Sequence, residues 1–165
     1  MNPRKRNFLS LGLLAGTALL GRGALAAGAC ADGSSAAGSA LLDRYVAAIN
    51  AHDTSGFAEI HTEGYIQNSG RSPSGLAAQV ENWRALFGRM PDVQARVEDR
   101  VIAGDRVVAR MSLQATHTQP IQGLAPTGRR FTLRTIDIWR VENGKFAEHW
   151  DIVDFPGLVK QLKAD

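Results

Sequence analysis

The chain of 165 residues contains one cysteine, Cys30. That excludes an intrachain disulfide scaffold and a zinc site built on cysteine pairs. Its four histidines are His52, His61, His117 and His149. Their spacing matches no standard metal motif, so no metal site is expected. There is no glycine-rich phosphate loop. Nor is there a G-x-S-x-G nucleophile elbow, so serine hydrolysis has no support. No internal repeat and no second domain are visible. A composition of 44% hydrophobic and 21% charged residues is that of an ordinary globular chain, and the length suits one domain.

The formal net charge of +3 is unevenly placed. Arg4, Lys5, Arg6 and Arg22 lie within residues 1–26, which hold no acids. Of 19 basic residues, removing these four leaves 15 against 16 acidic ones, a net charge of −1. No dense basic run remains, so no nucleic-acid partner is expected.

Residues 1–26 have the order of an export signal: a basic start, an apolar run from Phe8 to Leu20, and the small-residue site Ala24-Leu25-Ala26. The run is short for a membrane span, which needs about 20 apolar residues. Lys5-Arg6-Asn7-Phe8-Leu9 resembles a twin-arginine signal with Lys in the first Arg position, and the ordinary secretory route stays open. The expected location is therefore periplasmic or secreted. Ala27-Gly28-Ala29-Cys30 loosely resembles a bacterial lipobox. Cys30 is then either a lipid attachment point or a spare thiol. Residues 27–38 read as a flexible linker and 39–165 as the folded domain.

Within that domain the front half is helical. Ser39 is placed to cap a helix through Asn50, whose Leu41, Leu42, Tyr45, Val46 and Ile49 share one face. A short helix carries Phe57 and Ile60. Tyr65-Ile66-Gln67 reads as an extended piece, followed by an Asn68-Ser69-Gly70 turn. A third helix starts at Ser72-Pro73-Ser74 and carries Leu76, Val80, Trp83 and Phe87. After Pro91 the period becomes alternating. Strands are expected from Val93 to Val101, Arg106 to Thr118, Arg129 to Val141 and Lys145 to Asp154, before a short C-terminal helix. Helices followed by antiparallel strands make an α+β pattern.

The last hairpin decides which side chains meet. A three-residue loop at Glu142-Asn143-Gly144 pairs Val141 with Lys145 and sets Asp137 opposite His149. Asp137, Trp139, His149 and Asp151 then share one face, and Ile136, Ile138, Trp150 and Ile152 share the other. A two-residue turn pairs Glu142 with Lys145 and disperses that cluster. The clean separation of the two faces favours the three-residue loop.

An ordered series now carries a resemblance: Val101-Ile102-Ala103-Gly104-Asp105-Arg106, Thr116-His117-Thr118, Pro126-Thr127-Gly128, Asp137-Ile138-Trp139-Arg140 through Lys145, and Glu148-His149-Trp150-Asp151. The chain resembles the SnoaL-like polyketide cyclases of the nuclear-transport-factor-2-like superfamily, ester cyclases among them, over about residues 39–163. The resemblance implies a cone-shaped α+β barrel, with helices packed on a curved antiparallel sheet around a deep pocket. It implies a general acid/base aspartate and no cofactor. Asp151 stands at that aspartate's position. Asp137 matches a second active-site position that is a histidine in the cyclases, so the dyad is altered here.

A carboxylate beside a histidine in an apolar pocket suits proton transfer, because burial moves a carboxyl's protonation toward neutrality. The expected catalytic group is Asp151 with Asp137 and His149. His117, Trp139, Tyr45, Asn68 and Trp83 are the candidates for binding a small-molecule substrate. His117 and Asn68 are equally placed to hold a turn, and Tyr45 and Trp83 to pack helices. The function expected is cyclisation or isomerisation of a small carbonyl compound. A non-catalytic binding protein using the same pocket is the rival. A third reading is a homodimer formed through Trp150 and the isoleucines of the outer face.

Overall fold

The computed structural model describes residues 32–163. Residues 1–26, the expected export segment, and Cys30 lie outside the described residues. Four helices and five strands follow in the order α1 (Asp32–Asn50), α2 (Phe57–Ile60), β1 (His61–Gln67), α3 (Leu76–Arg89), β2 (Gln94–Ala103), β3 (Arg106–Thr116), β4 (Arg130–Glu142), β5 (Lys145–Val153) and α4 (Phe155–Lys163). This is the expected α+β class.

Two expectations are corrected here. The first helix starts at Asp32, so residues 32–38 are helical, and Ser39 lies inside the helix rather than capping it. Ser39 Oγ instead accepts a hydrogen bond from Arg100 Nη1 at 2.6 Å. Gly38 explains why the extension docks closely. A Cβ there would stand 2.9 Å from Ile102 Cγ2, so any larger residue would force the Ile102 side chain to shift. The second correction concerns the sheet, which has five strands in the order β1-β5-β4-β3-β2. The extended piece around Tyr65 is a full edge strand that pairs parallel with β5. The sheet is therefore mixed, not wholly antiparallel.

Alternation builds the sheet's two faces. Along β4, Phe131, Leu133, Thr135, Asp137 and Trp139 are buried, while Arg134, Ile136 and Ile138 are exposed. The inner face meets α1 through Leu41, Leu42, Tyr45 and Ile49, all buried in one cluster with Trp139, Phe146 and Val107. Each such side chain contributes about 1.5–3 kcal/mol when fully buried. A second cluster, around Phe131, Leu133, Leu158 and Leu162, closes the other end under α4. Between the two clusters the inner face is left uncovered, and that gap is the pocket.

The β4–β5 hairpin corrects the expected register. Glu142 pairs with Lys145, so the turn has two central residues, Asn143 and Gly144. Both have positive φ, 50° and 74°, as a type I′ turn requires. An irregularity between Arg140 and Val141 then shifts the ladder by one residue. Beyond it Asp137 pairs with Asp151, and Trp139 with His149. The shift restores the parity that the two-residue turn had reversed. The cluster forms on one face through a bulge, not through a three-residue loop.

Candidate functional site

The pocket is a cavity of about 390 Å³, lined by Asp137, His149 and Asp151 together with apolar side chains such as Met111, Leu113 and Phe131 and polar ones such as Gln79, Asn82 and Arg89. β4 and β5 place the three titratable groups together because positions two apart on a strand share a face. His149 Nε2–H donates to Asp137 Oδ1 at 3.0 Å. In that tautomer Nδ1 accepts from Gln67 Nε2 at 3.0 Å. Gln67 reaches it because β1 pairs with β5 and sets Gln67 beside His149. Thr135, two residues before Asp137, donates its hydroxyl to Asp137 Oδ2. Trp139 stacks on the imidazole, with ring centroids 4.9 Å apart and planes 15° apart. Ring orientation and tautomer are thus set from three sides.

Asp151 has a different partner. Its Oδ2 is ion-paired with Arg71 Nη2, from the loop between β1 and α3. The Asp151 side chain is only 6% exposed, whereas Arg71 is 42% exposed. The other carboxylate oxygen, Oδ1, is buried and has no hydrogen-bond partner among the described residues. A buried acceptor left unpaired is costly.

Ligand atoms of Asp137, His149 and Asp151 all lie within 4.8 Å of one another. By chemistry this set could hold a cation, although the histidine spacing gave no sign of it. In this arrangement the Arg71 guanidinium supplies the positive charge next to Asp151.

Tyr45 and Trp83 line the cavity and bond to each other, Trp83 Nε1–H to Tyr45 Oη at 3.0 Å. Burial, reinforced by the Asp137 charge, raises the Tyr45 phenol above its ordinary pKa, so it stays a neutral hydroxyl. Behind the site, His61 is fully buried, and its Nδ1–H donates to the Phe57 carbonyl at 3.2 Å. Burial pushes its pKa down to about 4, so it is neutral.

Three binding candidates are not in the pocket. Trp139 is 1% exposed and lies behind His149, so it supports the ring instead of lining the cavity. His117 is buried against the β3–β4 loop, where its Nδ1 accepts from the Thr127 backbone N–H at 3.3 Å. Asn68 is exposed and donates to the His149 carbonyl at 3.1 Å, fastening β1 to β5. Local turn chemistry claimed His117 and Asn68, and the core claimed Trp139.

Nothing in the sequence points to Arg71 and Gln67. Both lie about 80 positions from their partners, 80 for Arg71–Asp151 and 82 for Gln67–His149. No spacing rule connects residues that distant, and only the parallel pairing of β1 with β5 brings them in.

Comparison with known proteins supplies a family. The profile of the SnoaL-like polyketide cyclases matches residues 39–162. A nogalonic acid methyl ester cyclase from Streptomyces nogalater is 34% identical over 87 residues, 52% of this chain and 63% of that protein, so the match spans less than two thirds of that relative. An aklanonic acid methyl ester cyclase, AcmA, from Streptomyces galilaeus is 33% identical over 131 residues, 74% of this chain and 88% of the relative. Among solved structures, TsrD from Streptomyces laurentii superposes with a TM-score of 0.72 at 32% identity, covering 79% of this chain and 97% of TsrD.

Proposed function

The chain belongs to the SnoaL-like polyketide cyclase family, and from that premise we propose that it carries out cofactor-independent acid/base chemistry, a cyclisation or isomerisation, on a small carbonyl compound in the cone pocket. The observation that carries this reading is Asp151. It is a buried carboxylate in a cavity of mixed polar and apolar lining, with one oxygen paired and the other unpartnered. Such an oxygen is suited to take a proton from carbon and return it elsewhere. Asp137 and His149 form the second element. Together they can give or accept a proton in the same cavity.

The test is proton exchange. Wild-type protein in heavy water is expected to catalyse deuterium uptake at the α-carbon of phenylacetone, followed by NMR. Asp151→Asn should lower that rate by about 100-fold or more. An unchanged rate would remove Asp151 from the role.

Asp137 in place of the cyclases' histidine favours a second reading, a binding protein that uses the same pocket without turnover. Recovery of a ligand that stays chemically unchanged on long incubation would support it. Export, with or without a lipid on Cys30, belongs to the proposal as well. A mature protein starting at Ala27 and taking up no labelled lipid would remove the anchor. So does pairing of two copies through the outer sheet face, where Ile136 and Ile152 are 52% and 76% exposed. A strict monomer at high concentration would oppose it.

A further inference from the structure

Arg71 and Arg89 are the two cationic side chains among the described residues lining the cavity. Only Arg71 is bonded to a carboxylate that lines it. Its guanidinium has five N–H donors in a planar fork. The one hydrogen bond its side chain makes to described residues is to Asp151 Oδ2. The remaining donors are on a side chain that lines the cavity and is 42% exposed. The Asp151 carboxylate beneath it is almost fully enclosed.

Proton abstraction from carbon moves a negative charge over a short distance. The Asp151 Oδ1 lone pair takes the α-proton. The C–H electron pair becomes the C=C bond, and the carbonyl π pair moves onto oxygen. Charge leaves the carboxylate and arrives on the substrate as an enolate. A cation that touches both oxygens keeps one negative charge beside it throughout, so it needs no reorganisation as the charge moves. Arg71 is placed for that: one arm of the fork on Asp151 Oδ2, the other available to an incoming oxygen.

We propose that Arg71 binds the enolate oxygen formed on the substrate. The assignment rests on the acid/base reading of Asp151. It adds a substrate-touching group that the sequence did not point to. The contact with Asp151 Oδ2 is kept as substrate enters beside Oδ1, and the exposed loop position of Arg71 lets the free arm of the fork turn toward the incoming oxygen.

The probe is benzoylacetone, a β-diketone whose enolate has its own ultraviolet absorption. Bound to the wild-type protein, it should ionise more readily than in buffer, with an about tenfold larger enolate fraction at a given pH, one unit of its pKa. Arg71→Gln should abolish that enrichment while benzoylacetone still binds, and Arg71→Lys should keep part of it. Asp151→Asn should keep or increase it, because Arg71 then has no competing anion. The double variant Arg71→Gln/Asp151→Asn, which leaves no unpaired carboxylate, should show none. Enrichment in Arg71→Gln equal to wild type overturns the proposal, and so does its absence from both wild type and Asp151→Asn. The acid/base reading fails separately. Enolate enrichment that depends on Arg71, without catalysed deuterium uptake by phenylacetone, would leave Arg71 as an anion-binding residue and remove the catalytic role of Asp151.

Discussion

Asp137 and His149 meet at 3.0 Å although they are not ladder partners. Asp137 stands opposite Asp151, and His149 opposite Trp139. Their contact is a diagonal across the hairpin, within reach of long side chains on one face. The diagonal leaves each carboxylate with its own partner: Asp137 takes His149 and Thr135, and Asp151 takes Arg71. Two carboxylates in different environments can hold different roles in one reaction.

Replacing Asp137 tests the first pairing. In Asp137→Leu, His149 loses the acceptor for Nε2–H, and the tautomer preference set by Asp137 and Gln67 should disappear. The ¹⁵N shifts of the imidazole report this directly. A spectrum identical to wild type would show that Asp137 does not orient the ring.

His61 predicts how stability varies with pH. Its pKa in the folded protein is about 4, below the ordinary 6.5, because burial opposes the charged form. The unfolded chain therefore binds more protons between these values. The stabilisation is fully present above pH 6.5 and is lost as pH falls toward 4, amounting to about 3 kcal/mol. Urea unfolding at pH 7 and pH 4.5 should show the decline, and His61→Phe should reduce the slope. A variant with the wild-type slope would assign the acid sensitivity elsewhere.

Tyr45→Phe removes the acceptor for Trp83 Nε1–H in a buried site. Leaving that donor unpaired should cost about 1–3 kcal/mol. The pocket keeps its shape, so affinity for an apolar probe should change little. Chemical denaturation together with probe fluorescence separates the two effects.

Gly144 has φ of +74° in the β4–β5 turn. Gly144→Ala should destabilise the protein by about 1–2 kcal/mol, since a Cβ disfavours the left-handed region. A three-residue loop would also place this glycine in the left-handed region, so the loss in thermal midpoint reports the strain at Gly144 and not the register.

Much of the fold was legible as periodicity. The change from helical to alternating spacing after Pro91 appears as the α3-to-β2 transition. Leu41, Tyr45 and Ile49 form the buried stripe of α1. Of β1, only Tyr65-Ile66-Gln67 could be read as extended; its start and its pairing could not. Its His61-Thr62-Glu63-Gly64 start carries a helix-ending glycine and no clean alternation, and its strand conformation is imposed by parallel pairing with β5. The start of α1 was hidden for a similar reason. Glycine and serine at 33–39 have weak helix propensity, and contact of Gly38 with Ile102 and Val107 outweighs it.

The sequence by itself determined which residues share a face of β4, because a strand's side chains alternate strictly. It put Asp137 with Trp139, and Ile136 with Ile138, whatever lay beyond the turn. Tertiary structure decided which face of β5 meets them. A two-residue turn and one bulge are each a single-residue change of parity, and only together do they bring His149 and Asp151 to Asp137. Tertiary structure also supplied Arg71 and Gln67, since a loop and an edge strand from the front half reach the site only through pairing at long range.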